Sequence, residues 1–148
     1  MKRHPTLHPL SEEHHHGLVL CLRLRKLAID DPAAAETMLQ EAWKSELQDH
    51  FRLEDDILLP EMALASTVNH PDIVRTCTDH VMLRLLIRRI ARAPLNEKAP
   101  LLVAFADCLE EHIRFEERIL FCTAESLLGE EGLSRLGFVS RFEGENSH

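Results

Sequence analysis

Glycine and proline are scarce in this chain, five and seven of 148 residues, and leucine, alanine, glutamate and arginine are abundant. That balance favours helix over sheet. The four cysteines (Cys21, Cys77, Cys108, Cys122) include no C-x-x-C pair. A zinc knuckle or disulfide framework is therefore not expected; reduced thiols packed as small apolar groups are. No apolar run approaches the roughly 20 residues of a membrane span. The opening MKRHPTLHPL lacks the apolar stretch of a signal peptide, so a cytoplasmic protein is expected. A formal charge of −8 argues against nucleic acid or an acidic membrane as partner. There is no Gly-rich phosphate loop and no Ser/His/Asp or Cys/His arrangement of a nucleophile and its base.

What the chain does have is histidine, ten residues, in a sequence that is 45% hydrophobic. Its length suits one domain, residues 1–148, with a sizeable core. Turn signals separate four helical stretches. The first is expected over about Ser11 to Ile29, with Ser11 as N-cap. The second is expected from Pro32, capped by Asp31, to Leu59, with Pro60 breaking or kinking it. NHPD opens a third near Pro71 that runs to about Ala93. After APLNEKAP a fourth spans about Ala99 to Leu128. GEEGLSRLG adds a short terminal helix, within a C-terminal extension over 129–148 that ends in a frayed EGENSH tail. Four long helices with short loops imply an all-α, up-down bundle with its core at about residues 8–128.

LEEHIRFEERIL (109–120) reads as one face of an amphipathic helix, yet His112 and Glu116 sit inside that face. Shifted by 62 positions, LQDHFRLEDDIL (47–58) overlies it, placing His50 and Glu54 on the corresponding face of the second helix. Asp49, Arg52, Asp55 and Asp56 fall on the reverse. An i, i+4 spacing stacks an imidazole and a carboxylate about 6 Å apart. Burying an ionised glutamate alone costs several kcal/mol, so two in one core call for a cation, which also uses neutral histidines as donors.

The other two helices supply further histidines. His80 shares its face with Ile73, Leu83 and Ile87. In EEHHHGLVLCL, His15 repeats that pattern through Leu18, Val19 and Leu22 and is the choice for the first helix, with His14 as a supporting or substitute ligand. His15, His50, Glu54, His80, His112 and Glu116 are too many donors for a tetrahedral structural zinc. They suit two metal ions bridged by the two glutamates, each ion with two histidines. The mixed donors point to iron, with manganese, zinc or a mixed pair possible. Arg84, four after His80, falls toward the metal and is expected to extend outward or pair with an acid.

The order His … His-x-x-x-Glu … His … His-x-x-x-Glu resembles that of the hemerythrin-like, or HHE cation-binding, proteins. HFRLEDDILLPEM and HIRFEERILF look like the family's two signature segments, and LSEEHHHGLVL resembles its N-terminal one. The resemblance covers about residues 8–128. It implies a four-helix bundle enclosing a non-haem di-iron site, oxo- or hydroxo-bridged, held by the six residues just named. Oxygen-carrying members bring a fifth histidine four before the third-helix one, where this chain has Thr76. Their last carboxylate is an aspartate five after the histidine, where this chain has Glu116 at four. The chain is thus closer to the bacterial type, with one coordination position open per iron. The function implied is binding of, or reaction with, dioxygen, nitric oxide or peroxide, as sensor, scavenger, or iron store or donor, more a binding protein than a dedicated enzyme. A ferroxidase-type oxidase is the alternative, although within the four helical stretches the Glu-x-x-His spacing occurs only at Glu12 to His15 and Glu13 to His16, overlapping at one end. A metal-free helical adaptor is the third reading.

Overall fold

The structure, a computed structural model, describes residues 2–136. It consists of four helical rods, with no strand among the described residues. After a tight turn at Pro5–Leu7, α1 spans His8–Asp30; α2 covers 32–65, α3 Pro71–Arg92 and α4 95–134. Two of the starts share one device. His4 and His70 each precede a proline, and each ring accepts, through Nδ1, the backbone N–H two residues on, at 3.1 Å. The imidazole thus caps donors that the first helical turn leaves free. Asp31 caps α2 in the expected way, accepting from the N–H of Ala34 at 3.1 Å.

Ser11 does not cap α1. The helix already begins at His8, with Pro9 in its first turn, where a missing N–H costs nothing. Pro60 does not end α2 either. At Glu54–Leu58 the helix widens, and the N–H of Leu59 bonds to the carbonyl of Glu54, five residues back. This wide turn relieves the clash a proline ring otherwise makes with the carbonyl four before it. A matching wide turn lies at Glu116–Leu120 of α4, where the N–H of Phe121 bonds to the Glu116 carbonyl. Gly129, with φ of 65°, interrupts α4 after Leu128, in the left-handed region where glycine carries no steric penalty. The short helical piece that follows ends at Ser134. The rest of the extension, from residue 137 on, including the EGENSH tail and His148, lies outside the described residues.

α1 packs along α4, α2 lies beside α1, and α3 lies beside α4. On α1 the buried positions Leu10, His14, Gly17, Cys21, Leu24 and Ala28 recur every three or four residues, the period of one helix face. A Cβ on Gly17 would lie 2.8 Å from Ile113 Cδ1, so glycine permits the close approach of α1 and α4. Two apolar clusters form. One includes Leu24, Leu39, Phe51, Leu83, Phe105 and Leu109; the other includes Leu10, Leu58, Met62, Leu120 and Phe121. Each fully buried Leu or Phe contributes roughly 1.5–3 kcal/mol, enough together to offset a polar layer between the clusters. Cys21 is buried, whereas Cys77 and Cys122 are exposed and Cys108 half-buried, and all four thiols are free. The packed-thiol expectation thus fails for Cys77 and Cys122. No described helix is long and apolar enough to cross a membrane.

Candidate metal centre

Between the apolar clusters lies that polar layer: His14, His50, Glu54, His80, His112 and Glu116, none more than 4% exposed. Two groups of four can be drawn, His14–His50–Glu54–Glu116 and Glu54–His80–His112–Glu116, with ligand atoms all within 4.8 Å of one another in each. Both groups contain the two glutamates. The imidazoles face each other in pairs. His50 Nε2 lies 3.1 Å from His14 Nε2, and His80 Nε2 lies 3.2 Å from His112 Nε2. Two nitrogens so placed are both within reach of one ion at the roughly 2 Å nitrogen–metal distance. Glu54 spans the pairs, its Oε2 3.4 Å from His50 Nε2 and its Oε1 3.2 Å from His80 Nε2.

The first-helix residue is His14, not His15. His15 is exposed, and so are two of the neighbours that favoured it, Val19 and Leu22. His14 shares its face with Gly17, Cys21 and Leu24 instead. His50, Glu54, His80, His112 and Glu116 come together as expected, and Thr76, four before His80, is buried with its hydroxyl donating to the Asp72 carbonyl.

Sequence reasoning missed a surrounding ring of acids. His80 Nδ1–H donates to Asp55 at 2.7 Å, His112 Nδ1–H to Asp79 at 2.9 Å, and His14 Nδ1–H to Glu117 at 2.9 Å. A carboxylate only accepts, so each bond fixes the proton on Nδ1 and leaves Nε2 aimed inward as a donor to metal. A regular helical period puts Asp55 on the reverse of its helix. It turns in within the wide turn that begins at Glu54. Arg84 does pair with an acid, its Nη2 lying 2.7 Å from Asp55. A pattern was there to find, since Asp55 and Glu117 correspond in the 62-residue repeat and Glu13 and Asp79 each precede a site histidine. Aromatic faces complete the enclosure, with Phe51 stacked on His80 at 4.4 Å and Phe121 on His14 at 5.3 Å.

Four buried oxygens, both of Glu54 and both of Glu116, have no hydrogen-bond partner. Such groups are costly to bury alone, and convergent imidazole nitrogens make this a donor set that fits divalent cations. Electrostatics agree. Burial opposes charging of His80, yet Asp55, Glu116 and Glu54 outweigh it and push its pKa up to about 12. Burial is likewise overcome at His50, chiefly by the Glu54 charge, to about 10, and at His112, chiefly by Glu116, to about 9. Burial would raise Glu116, but His112 foremost holds it well below the ordinary carboxylate range. The layer thus attracts positive charge, which protons or metal ions can supply.

No curated protein and no solved structure gives a significant match to the chain. A family profile does: that of the hemerythrin HHE cation-binding domain matches residues 6–124, which contain the whole polar layer. The chain belongs to the hemerythrin HHE cation-binding domain family.

Proposed function

We propose that this is a non-haem di-iron protein that binds or reacts with a small oxidant, whether dioxygen, nitric oxide or peroxide, as sensor, scavenger, or iron store or donor. The observation that carries the reading is the sharing of Glu54 and Glu116 by two four-residue groups. His14 and His50 would hold one ion, His80 and His112 the other, and the two glutamates both. The mixed nitrogen and oxygen donors favour iron, with manganese or zinc as alternatives. When bound, a redox-active pair supplies electrons to, or takes them from, a small ligand.

The chain's own residues do the rest. Asp55, Asp79 and Glu117 hold three imidazoles in the orientation that points Nε2 inward. Phe51 and Phe121 cover ring faces and exclude water. A groove of about 380 Å³ between α2 and α3, lined by Leu59, Ile73 and Val81 among others, reaches Asp55 and His80 and gives a small neutral molecule a way toward the layer. The free thiols fit a cytoplasmic setting. A metal-free adaptor would have to hold two fully buried carboxylates on imidazolium protons alone, a costly arrangement that disfavours it.

Protein produced with iron is expected to carry two irons per chain. Its reduced form is expected to change near-ultraviolet absorption on titration with dioxygen, nitric oxide or hydrogen peroxide. A chain that takes up one ion or none, or a loaded protein inert to all three, overturns the reading.

A further inference from the structure

The acids around the layer follow an approximate two-fold pattern, broken at one place. Asp79 precedes His80 and reaches His112 Nδ1 at 2.9 Å. Glu13 precedes His14 and points at His50 Nδ1, but its Oε1 stops 3.8 Å away, beyond a hydrogen bond. Both atoms are buried without any partner, and Glu13 as a whole is 8% exposed. Glutamate is one methylene longer than aspartate, so this carboxylate has reach to spare that it does not use on His50.

Glu13 has a cavity on either side. The inner one, about 10 Å³, also touches His14, His50 and Leu47. The outer one, about 40 Å³, is lined by His16, Gly17, Leu47 and Glu46 among others. Each has room for at least about one water-sized species. At the outer mouth His16 Nδ1 and Glu46 Oε1 meet at 2.8 Å across α1 and α2, 57% and 31% exposed. The backbone departs from the repeat here too. At Trp43–Leu47 the N–H of Gln48 bonds to the Trp43 carbonyl in a third wide turn, whereas the corresponding stretch of α4, residues 105–109, is regular helix. Wide turns of this kind gather at functional sites, and this one carries Glu46 and Leu47 into the outer cavity.

We propose that Glu46, His16 and Glu13 form a transfer path between α1 and α2 by which divalent metal ions reach and leave the His14–His50 side of the centre. The proposal rests on the metal reading above. The steps are ligand exchanges: the ion gives up waters for the Glu46 and His16 donors, passes to the Glu13 carboxylate, and moves through the inner cavity, which touches both His14 and His50, to their inward Nε2 atoms. Its charge is unchanged, and protons it displaces from imidazoles leave to solvent. Carboxylates flanked by low-dielectric walls concentrate cations at such a mouth.

The test follows cobalt(II) uptake by the metal-free full chain in stopped-flow absorbance, and its loss to excess chelator, for wild type, E46Q, E13Q and the exposed control E12Q. E13Q and E46Q are expected to slow both rates by about tenfold or more while still binding two ions at equilibrium, with E12Q unchanged. Rates equal to wild type in E46Q and E13Q overturn the proposal. So does a lower final stoichiometry at an unchanged rate, which would make Glu13 a residue that only orients His50. If E13Q fails to fold, E46Q, at the half-exposed mouth, carries the test alone. A wild-type chain that binds no cobalt overturns the metal reading itself, a result distinct from any of these.

Discussion

Asp55 accepts the Nδ1–H of His80 at 2.7 Å while its other oxygen lies 2.7 Å from Arg84 Nη2. The acid thus stands between a half-exposed guanidinium and a buried imidazole. Asp55→Ala frees the His80 ring to rotate and removes the charge behind it, so metal affinity is expected to fall about 10–100-fold. Asp55→Asn keeps an accepting oxygen and should lose less. Competition against a chelator, with far-ultraviolet circular dichroism to show intact helices, measures both. Equal affinities in wild type and Asp55→Ala would refute the role.

Neighbouring histidines on α1 should behave in opposite ways. His15→Ala alters an exposed side chain and is expected to leave two metal ions per chain. His14→Ala removes one of the facing pair and is expected to lower the count toward one. Elemental analysis after desalting decides, and the reverse pattern would restore His15 as the inward residue.

Acidity provides a third check, on the metal-free protein. His50, His80 and His112 are pushed up to about 10, 12 and 9, against roughly 6.5 for an unfolded histidine. A raised folded-state pKa gives stability that is complete below the unfolded value and lost as pH rises through the folded one. Chelator-treated protein should therefore weaken steadily from about pH 6.5 to 9. Glu116 is depressed instead, so its contribution persists above about 4.3 and is lost only as pH falls below that. With metal bound, the ion stands in for the protons and the alkaline loss should disappear. Urea melts at pH 6, 7.5 and 9, with and without metal, test this; a chelated protein equally stable at all three would contradict it.

Packing at Gly17 gives a fourth. Alanine there gains up to about 1 kcal/mol of helix propensity, but its Cβ would meet Ile113 Cδ1 at 2.8 Å. Removing that methyl with Ile113→Val relieves the contact. Gly17→Ala is expected to stabilise the Ile113→Val protein more than it stabilises wild type, by about 1 kcal/mol at most. Additive effects in chemical denaturation would show that the two positions do not touch.

The repeat made His50, Glu54, His112 and Glu116 legible, because a buried carboxylate needs a counter-charge and the same polar pair interrupts two apolar faces in register. His15 was favoured over His14 for a physical reason. Hydropathy supported it through Val19 and Leu22, both of which the fold leaves in water, while glycine three after His14 carries no hydropathy signal although it marks a close approach of α1 to α4. The wide turns were invisible, since nothing in a 3.6-residue period announces one extra residue. They also account for Ile119, which a regular helical period puts seven after His112 on the same face, being 46% exposed while Leu120 is fully buried. The acids around the histidines escaped notice because a charged residue next to a ligand reads as solvent-facing until its neighbour's ring is placed.

The widenings that start at Glu54 and Glu116 have a mechanical meaning for the rod as a whole. Each amounts to one residue inserted into a regular spiral, turning everything after it by about 100°. Both rods take this twist at the same level, where the carboxylates stand. The polar tier therefore acts as a coupling between two bundle halves of different angular phase, each free to present its own best oily stripe inward without dragging the other out of register.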